Sequence, residues 1–454
     1  GRALFASEED YDQLVVKGAP DAVLPLCVDG QAAQAVVEAM TKRGLRVLAV
    51  AGRAGSGITE AAAPDDVEVD LQLLGLLALA DPPRVEIAPA IVACRAAGIK
   101  VAMVTGDHPT TAAAIADQVG LRRDGDLIVE GHNLPDDDQL LGALVDRDGI
   151  VIARVSPEDK LRIALCLRMR GHVVAMTGDG VNDGPALHEA NIGIAMGRTG
   201  TDVARESADL VLLDDHFGSI VAAIRQGRAT FVNMRRFLTY HLTDNVAELT
   251  PFVIWALSGG RFPLALGVMQ ILALDIGTDT LSAVALGAEP PAKGLLAGPP
   301  VSGRLLNRTV ARRAFGVLGP TIAAATMVAF LASMMSAGWR PGDSFPTGHP
   351  LAAASGAAFM TVVIGQKANA FACRSTTRWP GAVGWTTNRL LIPAACVELV
   401  FALVVLFVPP IARQLGQANP PLIGWAVALA SAPLMLAVDA ANKAHRRRRQ
   451  VNGD

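Results

Sequence analysis

Apolar positions along the chain follow two rhythms, with a change near residue 235. Before it, short apolar runs alternate with helical patterns, and strands are expected near 100–104 (KVAMV), 151–154, 172–176 (HVVAM), 192–195 and 210–213. Strands alternating with helices in this way predict a parallel sheet with helices on both faces. After it, apolar stretches of about 20 residues recur, long enough to cross a bilayer. Six such spans are expected, at roughly 236–258, 264–287, 314–337, 351–372, 390–409 and 421–440. The pattern therefore predicts an α/β, Rossmann-like domain followed by an all-α, six-span transmembrane bundle.

Charge adds an orientation. The connections after the second, fourth and sixth expected spans hold Lys293, Arg304, Arg308, Arg312 and Arg313, then Arg374, Arg378 and Arg389, then Lys443 and Arg446 to Arg449. The opposite connections hold little beyond Arg261, Arg340 and Arg413. Basic loops stay in the cytoplasm, which places residues 1–232 there too and makes this a multi-pass membrane protein. The Ala- and Arg-rich composition suggests a bacterial plasma membrane. A net charge of −3 offers no excess of basic groups for nucleic acid, and none is expected as a partner. The five cysteines are scattered without paired spacing, which fits neither a disulfide framework nor a zinc site.

The chemistry concentrates in TGDGVNDGPAL at 177–187, directly after an expected strand. Ligands in open α/β sheets bind beyond the carboxyl ends of the strands. There Asp179, Asn182 and Asp183 supply oxygen to a hard cation such as Mg²⁺, which in turn holds phosphate, and the interspersed glycines let the backbone bend close to a ligand. A second expected strand ends in Thr105-Gly106-Asp107-His108, and Pro109 opens a helix behind it. The Thr105 hydroxyl can bond a phosphoryl oxygen. A third leads into ARVSPEDK at 153–160, whose Lys160 can neutralise charge on a transferred group.

In this order, KGAP at 17–20, ADPPR at 80–84, TGDH at 105–108, ARVSPEDK at 153–160 and TGDGVNDGPAL resemble the P-type ATPases, within the haloacid dehalogenase superfamily. The resemblance covers nearly the whole chain. It implies ATP as substrate and Mg²⁺ as cofactor, with phosphoryl transfer through an aspartyl-phosphate. Thr105, Gly106, Asp107, Lys160, Asn182 and Asp183 would be catalytic, and Asp179 and Asp183 would hold Mg²⁺. Lys17, Arg46 and Arg154 would contact nucleotide. The implied domains are the C-terminal part of a nucleotide-binding domain at 1–79, a haloacid dehalogenase-like phosphorylation domain at 80–232, and a membrane domain with a basic tail at 233–454. Three departures stand out. Gly184 replaces the family's usual alanine. The nucleophilic aspartate of the DKTGT string is absent from these 454 residues, as are the actuator domain and the first four spans. The chain is therefore expected to be the C-terminal part of a longer pump, and inactive by itself. The alternative is a truncated, non-catalytic membrane protein.

Polar residues inside the spans point to the cargo. Asn245 and Glu248 lie on one face of the first span, with Pro251 a turn away, and Asp275 and Asp279, four apart, share a face of the second around Gly277. A carboxylate at bilayer depth costs at least ~2.5 kcal/mol on insertion scales, so three without a purpose are improbable. An oxygen-lined site suits Ca²⁺, Na⁺, K⁺ or H⁺ rather than a soft metal, and the Cys-Pro pair of soft-metal pumps is absent. LTDNVAELTPF at 242–252 and LDIGTD at 274–279 resemble type II pumps, leaning toward the sodium/potassium group, whereas LGAEPP leans toward calcium pumps. The resemblance adds Thr278, Gln366 and Asn369 as ligands. Lys367, beside Gln366, either stands in for a bound cation, joins a buried ion pair, or snorkels to the interface.

Overall fold

The computed structural model describes residues 2–7, 10–43, 45–54, 68–79, 83–301 and 303–451. Of the expected hinge string ADPPR, residues 80–82 lie outside the described residues. The chain forms two compact units, Gly1–Ala223 with Leu296–Pro299, and Ile224–Leu295 with Pro300–Asp454.

The first unit opens with an antiparallel sheet of β1 (Arg2–Ser7), β2 (Asp10–Gly18), β3 (Arg46–Ala54) and β4 (Gln72–Leu79), in that order. Side chains alternate across a strand. Leu14 and Val16 of β2 therefore bury one face with Ala49 and Ala51 of β3, and Ala33 of helix α1 (Gly30–Lys42) packs on it.

Six short parallel strands follow, and they form two sheets rather than the single one expected. β5 (Met103–Val104), β6 (Ile128–Glu130) and β7 (Val151–Ala153) run in the order β5-β7-β6. β8 (Ala175–Gly178), β9 (Ile192–Met196) and β10 (Leu210–Leu212) run β10-β9-β8. Helices cover both faces of β7, as the alternation predicts. Val151 and Ala153 pack on α2 (Ile87–Ala96) and α3 (Pro109–Gln118), while Ile150 and Ile152 pack on α4 (Asp138–Val145) and α5 (Pro157–Met169). β9 packs on α6 (Gly184–Glu189) and α7 (Asp202–Ser207).

β5 and β8 are edge strands, as are β6 and β10, and each hydrogen-bonds on one side, β5 to β7 and β8 to β9. They also depart most from expectation. β5 is two residues long, and β8 begins at Ala175 instead of His172. A strand with one neighbour leaves half its ladder unmade, and Ala175 and Thr177 of β8 are exposed although the string around them reads as interior. At the opposite ends of these strands one carboxylate bridges the gap. Asp146 accepts from Lys100, just before β5, at 2.6 Å, and from Arg170 at 3.2 Å, and stands 3.0 Å from His172, just before β8. The Lys100 ammonium, ahead of the other two partners, holds the Asp146 carboxyl well below the usual carboxylate range.

The second unit is helical: α8 (Phe217–Leu257, whose first turns belong to the other unit), α9 (Val268–Gly287), α10 (Arg308–Ser336), α11 (His349–Cys373), α12 (Leu391–Phe407) and α13 (Leu422–Val451). The six expected spans all fall on helices, but among the described residues length and apolarity alone support four, namely α9, α10, α11 and residues Leu422–Arg448 of α13. α12 has 17 residues, and α8 interrupts its apolar character with Asp244 and Glu248. Pro251 lies inside α8 and removes the N–H that would bond the Ala247 carbonyl. α9 and α10 each contain a π-helical turn, at Asp275–Asp279 and Ala314–Leu318. Small residues set the packing. A Cβ on Gly424 would stand 2.8 Å from that of Ala357, so α13 and α11 approach almost backbone to backbone.

Three basic residues read as solvated topology signals prove to be buried. Arg313 and Lys443 pair with Asp439, and Arg374 pairs with Glu289. Each has a carboxylate partner inside the bundle, which a loop count of charges cannot see. Lys293, Arg304, Arg308, Arg312, Arg378, Arg389, Arg447 and Arg448 are exposed and keep the bias on the same side.

Candidate phosphoryl-transfer and cation sites

Three parallel strands deliver their carboxyl ends to one place. The loop after β5 holds Thr105, Gly106 and Asp107, and its backbone is laced to the loop after β7: Arg154 N–H donates to the Asp107 carbonyl and Val155 N–H to that of Thr105, both at 3.1 Å. Arg154 sits at φ +50°, a left-handed turn that swings the chain from β7 into α5. There Ser156 and Asp159 cap the helix reciprocally, which orients the first turn carrying Lys160. The Lys160 ammonium reaches Asp183 in the loop after β8, Nζ to Oδ1 2.7 Å. Thr105 Oγ1 donates to Asp107 Oδ2 at 3.0 Å and accepts from the Asp107 N–H at 3.1 Å, so this loop is closed on itself.

Asp183 is fully engaged. Lys160 occupies Oδ1, and the backbone N–H groups of Asp179 and Gly180 donate to Oδ2 at 3.3 and 3.2 Å. Gly178 has to be glycine for this to happen, because a Cβ there would lie 2.5 Å from the Asp183 Cβ. The side chains of Asp179 and Asn182 are exposed. Mg²⁺ is commonly held by one or two carboxylates, with waters and substrate phosphate completing the shell. The residues present fit that pattern with Asp179 as the open carboxylate, while Asp183 as it stands orients the loop and Lys160.

Lys17 and Arg46 lie on one face of the antiparallel sheet. Lys17 pairs with Val50 across β2 and β3, and Arg46 is two alternations from Val50, so both point away from the face that buries Leu14 and Ala49. Arg154 stands 3.4 Å from Asp21, which follows the KGAP turn. Sequence reading missed Asp215, whose carboxylate collects the N–H groups of Gly197, Arg198 and Thr199 at 2.7–2.9 Å. These bonds, foremost that from Arg198, lower its pKa.

In the helical unit Asp244, Glu248 and Asp279 offer carboxylate oxygens within 4.8 Å of one another, all three residues buried. Asp244 and Glu248 are four apart on α8, and Asp279 ends the π turn of α9. One oxygen of each has no hydrogen-bond partner: Asp244 Oδ2, Glu248 Oε1 and Asp279 Oδ2. Their remaining bonds come from neutral donors where these are present. Gln366 donates to Asp244 Oδ1 at 2.7 Å and Tyr240 donates to Asp279 Oδ1 at 2.8 Å. Asn369 stands behind Gln366, donating to its Oε1 at 2.8 Å. Buried, unpaired carboxylate oxygens are expensive, and an oxygen-seeking cation relieves that cost.

Of the expected ligands, the structure gathers Glu248, Asp279 and Gln366, with Asn369 one bond removed. Asp275 is half-buried, with its Oδ1 also unpartnered. Thr278 turns its hydroxyl back to the Leu274 carbonyl at 2.9 Å. Asn245 is half-buried and lines a separate cavity of about 280 Å³ with Val246, Leu249 and Phe315. The reading missed Asp244, although its four-residue spacing to Glu248 is the signal that singled out Asp275 and Asp279. It also missed Glu398, the acidic residue of α12, which is fully buried against Lys367 at 2.5 Å.

The chain thus combines a unit whose parallel strands gather Thr105, Lys160 and Asp183 in the loops at their carboxyl ends with a helical unit that holds a buried carboxylate cluster. Residues 7–191 match the haloacid dehalogenase-like hydrolase family, and residues 263–445 match the family described as cation transporting ATPase, C-terminus. The chain is 38% identical over 421 residues to a calcium-transporting ATPase of Bacillus subtilis, covering 88% of this chain and 45% of the relative. It is 37% identical over 435 residues to a probable cation-transporting ATPase F of Mycobacterium tuberculosis, covering 89% and 46%. It is also 39% identical over 305 residues to a sodium/potassium-transporting ATPase subunit alpha of Drosophila melanogaster, covering 61% and 29%. The chain belongs to the P-type cation-transporting ATPases, which are multi-pass membrane proteins. It spans about half the length of these Bacillus and Mycobacterium relatives.

Proposed function

We propose that this chain supplies the phosphate-handling and ion-binding parts of an ATP-driven cation transporter working through an aspartyl-phosphate. The observation that carries the reading is the buried cluster Asp244, Glu248 and Asp279, with an unpaired oxygen on each, in a chain whose other unit holds the Lys160–Asp183 pair at its strand ends. Thr105 and Lys160 would bind the oxygens of the transferred group, and Asp183 would hold Lys160 in place. Lys17, Arg46 and Arg154 would hold the nucleotide on the cytoplasmic side. Mg²⁺, held by Asp179, would neutralise charge on the phosphates. The nucleophilic aspartate would come from outside these 454 residues: its carboxylate takes the γ-phosphoryl group, ADP leaves, and water later releases phosphate.

Three clustered carboxylates balance a divalent cation better than a monovalent one, so Ca²⁺ is the first cargo to test. In membranes containing the intact protein, ATP hydrolysis should rise with Ca²⁺, and Glu248→Gln and Asp279→Asn should each weaken the apparent Ca²⁺ affinity by at least about tenfold, the effect of ~1.4 kcal/mol. Hydrolysis stimulated by Na⁺ or K⁺ but not Ca²⁺ would reassign the cargo. Hydrolysis indifferent to every cation, or none at all, would overturn the reading.

A further inference from the structure

Lys367 follows Gln366 on α11, and the two side chains serve different positions. Gln366 reaches Asp244 in the carboxylate cluster. The Lys367 ammonium reaches Glu398 at 2.5 Å, donates to the Thr278 carbonyl, and lies 3.8 Å from Asp279 Oδ1. Glu398 is held independently of the lysine, because Ser282 donates its N–H to Oε1 at 2.8 Å and its hydroxyl to Oε2. The Thr278 carbonyl belongs to the π turn Asp275–Asp279. A fixed carboxylate, a second carboxylate and a main-chain carbonyl released by irregular helix are the oxygen donors that bind alkali cations. Here they close on an ammonium.

We propose that Lys367 is a resident cation: its ammonium fills a second, oxygen-lined cation position formed by Glu398, the Thr278 carbonyl and Asp279, and so keeps a transported cation out of it. The inference rests on reading the neighbouring cluster as the transport site, since Asp279 is shared between the two positions. It limits exchangeable cations to the Asp244–Glu248–Asp279 side. It also accounts for a lysine deep in the bundle, where a charge persists only if paired. Removing the ammonium while leaving the donors should open the position to a monovalent metal ion of similar size.

The test is the thermal unfolding of the intact protein, purified in detergent, in choline chloride, NaCl or KCl at equal ionic strength and fixed Ca²⁺. The wild-type Tm should be the same in all three salts. Lys367→Met should lower Tm by about 5 °C or more in choline, because Glu398 is left without a counter-charge, and Na⁺ or K⁺ should restore it saturably, as a bound ligand does. Adding Glu398→Gln should abolish that restoration. Should Lys367→Met not survive purification in choline, recovery of folded protein in KCl or NaCl is the same result, and failure in every salt counts against the proposal. A Tm lowered equally in all salts would make Lys367 a plain structural partner and overturn it. So would an unchanged Tm, or an alkali response that survives Glu398→Gln. The effect of Ca²⁺ on the wild-type Tm is read separately, so an absent transport site and an absent resident cation give different results.

Discussion

A methyl group at Gly178 would stand 2.5 Å from the Asp183 Cβ, whereas one at Gly184 would meet Ser207 Oγ at 3.2 Å and Val203 at 3.4 Å. The first contact is with a side chain locked by three hydrogen bonds; the second is with a hydroxyl that can rotate. Gly178→Ala should therefore displace Asp183 and release Lys160. A misplacement of about 1 Å at a reacting centre costs roughly a hundredfold in rate, and that is the loss expected in ATP hydrolysis by the intact protein. Gly184→Ala should leave the rate within about twofold and raise stability by ~0.5–1 kcal/mol, because alanine loses less backbone freedom than glycine in a helix. Equal rates for the two variants would mean that Asp183 is not held as described. Both positions lie in a string whose chemistry is legible from residue types. That Asp183 spends both oxygens on Lys160 and the loop backbone is not, because it depends on how the loop folds over Gly178.

Among the elements, the strand ends decide what the first unit can do and what holds it. The carboxyl ends hold the candidate site, and the opposite ends of β5 and β8 are joined through Asp146 to Lys100, Arg170 and His172. Asp146→Asn should cost about 2 kcal/mol at pH 7, the scale of charged hydrogen bonds. The sign of the pH dependence follows from the depressed carboxyl. Its contribution is fully present above the unfolded pKa of ~3.9 and is lost as pH falls through the lower folded value. The stability gap between wild type and Asp146→Asn should thus be constant from pH 7 to about pH 5 and narrow below about pH 4. Acid unfolding curves of both proteins measure it, and a gap that widens toward acid would show that Asp146 is not held as an anion. Apolar runs sufficed to locate five of the six parallel strands, since a run such as VVAM has few other uses, but not the three-residue β6 at Ile128–Glu130. They could not show which strands would stand at the edges, as β5, β6, β8 and β10 do, because pairing is a property of two segments and a run describes one. The membrane helices show the same limit. Spacing singled out Asp275 and Asp279, of which Asp279 joins the buried cluster, while Glu398 became meaningful only when α12 met Lys367.

For the membrane unit as a whole, the C-terminal end of α11 gathers three buried cations. Arg313 of α10 and Lys443 of α13 both donate to the Ala372 carbonyl, at 3.3 and 3.0 Å, and both pair with Asp439, while Arg374 forks onto Glu289 at 2.7–3.0 Å. Helix C-termini carry partial negative charge and unsatisfied carbonyls, so α11, whose residues line both apolar cores of the bundle, draws its neighbours' cations to this end. The arrangement fixes α10, α11 and α13 against one another through charge, where apolar contact alone has little to distinguish helix from lipid. Its energetics are asymmetric. Breaking a buried pair strands a charge and costs about 3–5 kcal/mol, whereas replacing the whole set by apolar groups is often neutral. Asp439→Leu should therefore lower the Tm of the intact protein in detergent sharply, leaving Arg313 and Lys443 with only a shared carbonyl. The triple variant Arg313→Leu, Asp439→Leu, Lys443→Leu should regain most of that loss. A triple variant no more stable than the single one would mean that these charges do more than neutralise each other. The Ala372 carbonyl, which apolar side chains cannot satisfy, would then be the contact that matters.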